Sequence, residues 1–422
     1  MKKHYWITLA VLAGFLVIAQ QSHATNGHQL SAIGAYQQGL GGAVTAAPYD
    51  ATTAITNPAG MAVIGNRTDF NFELFRPTRT TGFAGGGNNA GGSPFYLVPA
   101  VGWTAPVNDR GDVFFGGGMY GVSGMGVDYD TLSDPAVAGM MGWGGGAQAH
   151  IYSQYQFWKM APTLAWKRGK LALGFALNLD YQAFSFKNMW SEVGGAGKYG
   201  LDLSEMQGAL GYGATLGVLY QPVPAFTVGF TYASRQMFSD FKWRLSAGDV
   251  SLGPVASQDG TYKMKLNFPE QAALGFAVRP TRKALWTVDF KWINYSATYN
   301  VVKLKGPFTN GVTEVPLHFG WEDVWVIATG FQYEVTPNVV LRMGYNHSNS
   351  PIKAEDVDNN LAFPAIVRDH ISGGFTYRLG RHWEMSMAYM NTMKEEVKSN
   401  SGTGTKISLE EKAGDFELSY RF

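Results

Sequence analysis

The chain has 422 residues, 33 Lys and Arg against 32 Asp and Glu, and no cysteine. The near balance of charge excludes the basic field that nucleic-acid binding needs, and the lack of cysteine excludes a disulfide scaffold or a cysteine metal site. Only 15% of residues are charged and 53 are Gly, yet a mean hydropathy of −0.10 is too polar for a bundle of membrane helices; the membrane architecture left open is a β-barrel, whose alternating strands average out hydropathy.

Residues 1–24 read as a signal peptide. Lys2, Lys3 and His4 precede an apolar run at 7–19, and Ser22-His23-Ala24 supplies small residues for cleavage. The run is too short to cross a core that needs about 20 residues, so the mature chain is expected to begin at Thr25 and to leave the cytoplasm. Residues 25–65 show no sustained alternation and are rich in Gly and Ala, with Gly39-Leu40-Gly41-Gly42-Ala43 and the triplet Asn57-Pro58-Ala59. So few charges argue against disorder and for a plug packed inside a lumen.

From residue 66 the sequence alternates with period two, the signature of strands with two different faces. Leu171, Leu173, Phe175, Leu177 and Leu179 alternate with Ala172, Gly174, Ala176 and Asn178; Trp286, Val288, Phe290 and Trp292 alternate with Thr287, Asp289 and Lys291. The pattern predicts fourteen strands, near 66–82, 94–105, 111–122, 154–167, 170–186, 209–221, 225–243, 261–279, 284–303, 321–335, 338–347, 370–379, 382–397 and 408–422. Short turns such as Arg168-Gly169, Thr336-Pro337 and Gly380-Arg381 alternate with longer connections at 83–93, 123–153, 187–208, 244–260, 304–320, 348–369 and 398–407. A soluble sandwich has no reason to sort its loops this way; an antiparallel barrel does. The expected fold is therefore all-β, a transmembrane antiparallel barrel over 66–422. Its last strand puts Phe416, Leu418, Tyr420 and Phe422 on one face, like the end that barrel assembly machinery reads.

Two long loops carry Met140, Met141, Trp143, Met189, Trp190 and Met206. Methionine and tryptophan make adaptable apolar surfaces, so these are candidates for docking a hydrophobic molecule. Other chemistry is poorly supported. The Gly runs 85–92 and 144–146 lack the Gly-Lys-Ser/Thr that holds phosphate. No His-Glu-x-x-His is present, and no cofactor or metal is expected. Asp128 with Asp130, and Asp356 with Asp358, fall short of a calcium loop. Ser123 lacks the final Gly of a nucleophile elbow, and adjacent His347 and Ser348 point to opposite faces of a strand.

The start Asn26-Gly27-His28-Gln29-Leu30, the 39–43 run, Asn57-Pro58-Ala59, Leu266-Asn267-Phe268-Pro269-Glu270 and Ser350-Pro351, in that order, resemble the FadL family of outer-membrane channels for long-chain fatty acids and other hydrophobic compounds, including its TodX-like aromatic-hydrocarbon branch. The resemblance implies a fourteen-stranded barrel closed by an N-terminal hatch at 25–65. It also implies passive uptake: docking on outer loops, passage to a pocket above the hatch, and sideways exit at a kink of the third strand. Gly118, Tyr120 and Gly121 fall where that kink is expected, and Lys187 and Arg342 are candidates for a fatty-acid carboxylate. The expected setting is the bacterial outer membrane, with lipopolysaccharide around a monomeric barrel. Uptake of monoaromatic hydrocarbons is the alternative within the family, and a lipid hydrolase with a cross-strand Ser–His pair is the alternative of another class.

Overall fold

The computed structural model of the protein describes residues 25–83, 89–91 and 95–422. The expected signal peptide at 1–24, and much of the loop 83–93 with its Gly run, lie outside the described residues. Fourteen antiparallel strands form one closed ring. They are β1 (Arg67–Gly82), β2 (Tyr96–Pro106), β3 (Val113–Ser133), β4 (Ala147–Met160 and Thr163–Arg168), β5 (Leu171–Glu192), β6 (Lys198–Val223) and β7 (Phe226–Ala233), then β8 (Gln271–Thr281), β9 (Ala284–Ile293), β10 (Val324–Thr336), β11 (Val339–Ser348), β12 (Asp369–Leu379), β13 (Trp383–Thr392) and β14 (Lys406–Arg421). Each pairs with its neighbours in sequence, and β14 pairs with β1 from Lys406↔Gly82 to Arg421↔Arg67, so the sheet has no free edge.

Burial along β5 shows which way the two faces point. Leu173, Phe175, Leu177, Leu179 and Tyr181 are 40–46% exposed, whereas Ala172, Ala176, Asn178, Asp180 and Gln182 are buried. A soluble sandwich would bury the leucines. Here the apolar face is outside, where lipid meets it, and the small and polar face is inside.

Strand number and turn positions follow the alternation; several strand ends do not. The structure extends β3 to Ser133 and starts β4 at Ala147, with a short helix, α1 (Pro135–Met141), between them. The stretch 187–208, expected as a loop, is instead the outer half of a hairpin that turns at 193–197. Three expected strands were too long: 225–243 ends its barrel part at Ala233, 261–279 enters the barrel at Gln271, and 284–303 leaves it at Ile293. Their surplus residues build a separate four-stranded sheet on the long-loop rim: Phe241–Leu245, Gly260–Met264, Val301–Lys305 and Glu314–His318. Period two is equally good in both sheets, so pattern alone could not split them.

Candidate functional site

Residues 25–65 run inside the ring, almost all buried. Asn57 caps the short 3-10 turn Pro58–Gly60 through its side chain, and its amide donates to Thr45 O at 2.7 Å and Val218 O at 3.2 Å. This segment meets the wall at cross-strand pairs of glycines: Gly174↔Gly217, Gly229↔Gly275 and Gly330↔Gly344. A methyl at Gly217 would lie 2.2 Å from Asn57 Oδ1, at Gly174 2.2 Å from Ala59 N, at Gly229 2.2 Å from Thr45 O, and at Gly344 2.2 Å from Gly41 N. Backbone therefore touches backbone where only Gly fits. Acids of the wall complete the attachment. Asp289 accepts from the amides of Val44 and Thr45 at 2.9 and 2.8 Å, Asp69 from Ala51 N at 2.8 Å, and Glu411 from the Thr25 hydroxyl at 2.8 Å. Inside this contact, burial and then the neighbouring Asp69 push the Asp50 carboxyl up to about 6.

β3 bends twice. At Gly117 the backbone has φ +138°, and an added methyl would strike Ala161 O at 2.3 Å. Val122 is then bulged out of register with β4. The β2–β3 ladder ends at Ala100↔Tyr120. Beyond it Tyr96–Pro99 and Gly121–Gly126 part around a cavity of about 330 Å³. The inner wall is His28, Leu30, Ser123, Tyr155 and Phe157. The outer edge includes Phe95 and Leu97, 50% and 64% exposed on the lipid side. The gap thus lies between two adjacent strands, with the 25–30 segment across its inner side and lipid-facing residues at its outer edge.

The N-terminal segment reaches the bend itself. His28 Nδ1 is 2.5 Å from Ser123 Oγ, whose hydroxyl donates to His28 O at 2.6 Å. The imidazole is packed by the rings of Tyr155, Phe268, Tyr295, Tyr299 and Trp321 at centroid distances of 5.0–5.5 Å. Burial pushes its pKa down to about 3. This is a Ser–His pair between a turn residue and β3, but a poor hydrolytic one: among the described residues His28 Nε2 has no hydrogen-bond partner, so no acid orients the ring. A base of pKa about 3 is also too weak at neutral pH.

The expected site residues divide. Gly121 lines the cavity. Tyr120 does not; it is buried, and its hydroxyl donates to Ala51 O at 2.9 Å. Gly118 sits against Val101 O, two residue pairs before the ladder ends. Met140 and Met206 are exposed, whereas Met189 and Trp190 are buried, Trp190 edge-on to Phe83. Met189 and Trp190 belong to β5 and Met206 to β6, so only Met140, Met141 and Trp143 stand on a connection. Lys187 is bound to Asp202 across the hairpin at 2.6 Å. Arg342 lies close to the short-turn end of β11, bonded to Gln332 at 2.9 Å and Thr376 at 2.7 Å under the rings of Tyr36 and Tyr49. Neither touches the cavity. Among the described residues the cation that does is Arg79, whose guanidinium donates to Tyr96 OH at 3.2 Å and to Gly126 O. Above, the connection 349–368 folds inward. Asn360–Val367 are buried, and Phe363 packs on Phe184, Phe186 and Phe319. Sequence reasoning missed His28, Ser123, Arg79 and Phe363 as contacts, since only register brings them together.

Residues 15–421 match the family described as Outer membrane protein transport protein (OMPP1/FadL/TodX). The chain belongs to that family. Among FadL and TodX relatives, it is 27% identical over 207 residues to the long-chain fatty acid transport protein of Escherichia coli K12, covering 46% of this chain and 44% of that protein. The corresponding Salmonella typhi protein is 25% identical over 202 residues, covering 46% of this chain and 45% of that one. The matched stretch is thus less than half the length of these relatives. The fold is similar to the Pseudomonas putida toluene transporter TodX (TM-score 0.73, 17% identity, 93% of this chain and 99% of that one). It is also similar to a Pseudomonas aeruginosa FadL homologue (0.68, 16%, 94% and 99%) and to the Ralstonia pickettii toluene transporter TbuX (0.70, 14%, 93% and 99%).

Proposed function

We propose that the protein is an outer-membrane channel for passive uptake of hydrophobic molecules, long-chain fatty acids first and monoaromatic hydrocarbons as the alternative. The observation that carries this reading is the apolar cavity between β2 and β3, which reaches from His28 at its inner wall to the lipid-facing edge at Leu97. A sideways route has a physical motive. Each methylene moved into water costs about 0.8 kcal/mol, so an acyl chain gains by passing directly into membrane. In this reading residues 25–65 are the hatch, anchored at Asn57-Pro58-Ala59 on its glycine pairs. The movable part is the hairpin at 25–30, whose contact with Ser123 holds the bend closed. Arg79, not Lys187 or Arg342, is placed to meet a carboxylate at the cavity wall.

The test is uptake of oleate, methyl oleate and toluene by cells expressing the native chain, Gly121→Val or Arg79→Gln. A side chain at Gly121 would begin 2.3 Å from Val98 Cγ1 and fill the gap, so uptake of all three should fall while the barrel stays folded. Arg79→Gln should reduce oleate more than its ester. Wild-type rates in Gly121→Val would remove the lateral route, and equal loss of acid and ester in Arg79→Gln would remove the carboxylate role.

A further inference from the structure

The small sheet on the long-loop rim has one apolar and one cationic face. Its inner face, Phe241, Trp243, Tyr262, Met264, Val302 and Leu304, is buried over the lumen. Its outer face presents Lys242, Arg244, Lys263, Lys265, Lys303 and Lys305, all exposed. Register makes the arrangement unusual: Lys242 is directly opposite Lys263, and Lys263 directly opposite Lys305. Neighbouring strands lie about 4.8 Å apart, and like charges directly opposite each other destabilise a sheet. The compensation is partial. Glu314 serves both Lys303 and Lys305, at 2.6 and 3.5 Å, and Asp240 is 3.6 Å from Lys265. Among the described residues no carboxylate pairs with Lys242, Arg244 or Lys263.

A row of cations held at strand spacing, with too few acids beside it, fits an anion carrying several charges. Long loops of outer-membrane barrels stand on the outer side, where the surrounding lipid is a phosphorylated glycolipid. The sheet that carries the row lies beyond the ends of β7, β8 and β9, outside the ring of barrel strands. We propose that Lys242, Lys263 and Lys305, flanked by Arg244, bind the phosphate groups of the core saccharide of lipopolysaccharide. Phosphates bridging adjacent ammonium groups would replace the repulsion between them by charge-assisted hydrogen bonds. The bound glycolipid would then hold the sheet that roofs the lumen.

The experiment uses the full-length protein in mild detergent and two probes, lipopolysaccharide with its phosphorylated core and the same material after dephosphorylation. The native protein should prefer the phosphorylated form, with salt weakening the preference. Lys263→Glu should bind it at least tenfold more weakly and lose the preference, while its thermal midpoint without glycolipid rises, because the substitution relieves the lysine row. Lys263→Gln should fall between, and heat-modifiable mobility checks folding in both. Equal binding of the two probes by the native protein, or undiminished binding by Lys263→Glu, overturns the proposal. So does a selective loss of oleate over methyl oleate uptake in Lys263→Glu with binding intact, since the row would then steer anionic substrate. Binding is read without transport, so its outcome is independent of the uptake assay above.

Discussion

On the proposed route, the contact of His28 with Ser123 should make uptake sensitive to acid, in a calculable direction. Docked in its aromatic cage, His28 has a pKa of about 3; undocked in water it regains about 6.5. The docked pKa is the lower one, so docking is fully stable above pH 6.5 and is weakened as pH falls, because protons bind the undocked hairpin. Between pH 7.5 and 5.5 the loss is about 1.4 kcal/mol, a tenfold shift toward the undocked hairpin. If that hairpin holds the bend of β3 closed, the initial uptake rate of an uncharged substrate should rise several-fold over this interval, up to tenfold. Toluene or methyl oleate is the proper probe, since oleate itself titrates. His28→Phe keeps an aromatic side chain in the cage and removes the titrating group and its hydrogen bond, a loss of about 1 kcal/mol. Its uptake should exceed the native rate at pH 7.5 and be flat with pH. The same acid response in His28→Phe as in the native chain would refute the reasoning, as would a native rate that stays flat between pH 7.5 and 5.5.

Other contacts give further expectations. Gly217→Val drives a side chain into Asn57 and Pro58; overpacking of this kind costs about 1–3 kcal/mol, and limited proteolysis should cut residues 25–65 faster while the barrel keeps its heat-modifiable mobility. Phe363→Ala removes the ring packed on Phe184, Phe186 and Phe319, and should speed the binding of a hydrophobic fluorophore added from outside. Lys187→Ala and Arg342→Ala should each affect oleate and methyl oleate equally, since Asp202 holds the first and Gln332 and Thr376 the second. A selective loss of the acid in either variant would return that residue to the carboxylate role.

The barrel was legible because a membrane strand advertises itself by period two, and because turns such as Gly169 and Gly380, both at positive φ, interrupt it sharply. Strand ends on the long-loop side were not. There Phe241, Trp243 and Leu245 alternate as well as any lipid-facing residues, but bury their apolar side against the protein. The site was legible only in parts carried by short motifs. Asn57-Pro58-Ala59 and Gly121 could be named from sequence, but their partners could not. Gly174 and Gly217 look like ordinary small lumen residues until register sets them opposite each other beneath Asn57. Lys187 looked like a free cation because Asp202, fifteen residues away, was placed in a loop rather than on the facing strand.

The seam between β14 and β1 also fixes an order of events. It joins two strands far apart in the sequence, through a ladder running the full length of both. No partial barrel can satisfy those two edges, so the ring stays open until Lys406–Arg421 is available, and such long-range pairing is intrinsically slow. β14 carries Glu411, which takes the Thr25 hydroxyl, and Asp415, which takes the amide of Asn71, itself bonded to Ala35 N. The strand that shuts the wall therefore also fastens part of what the wall encloses.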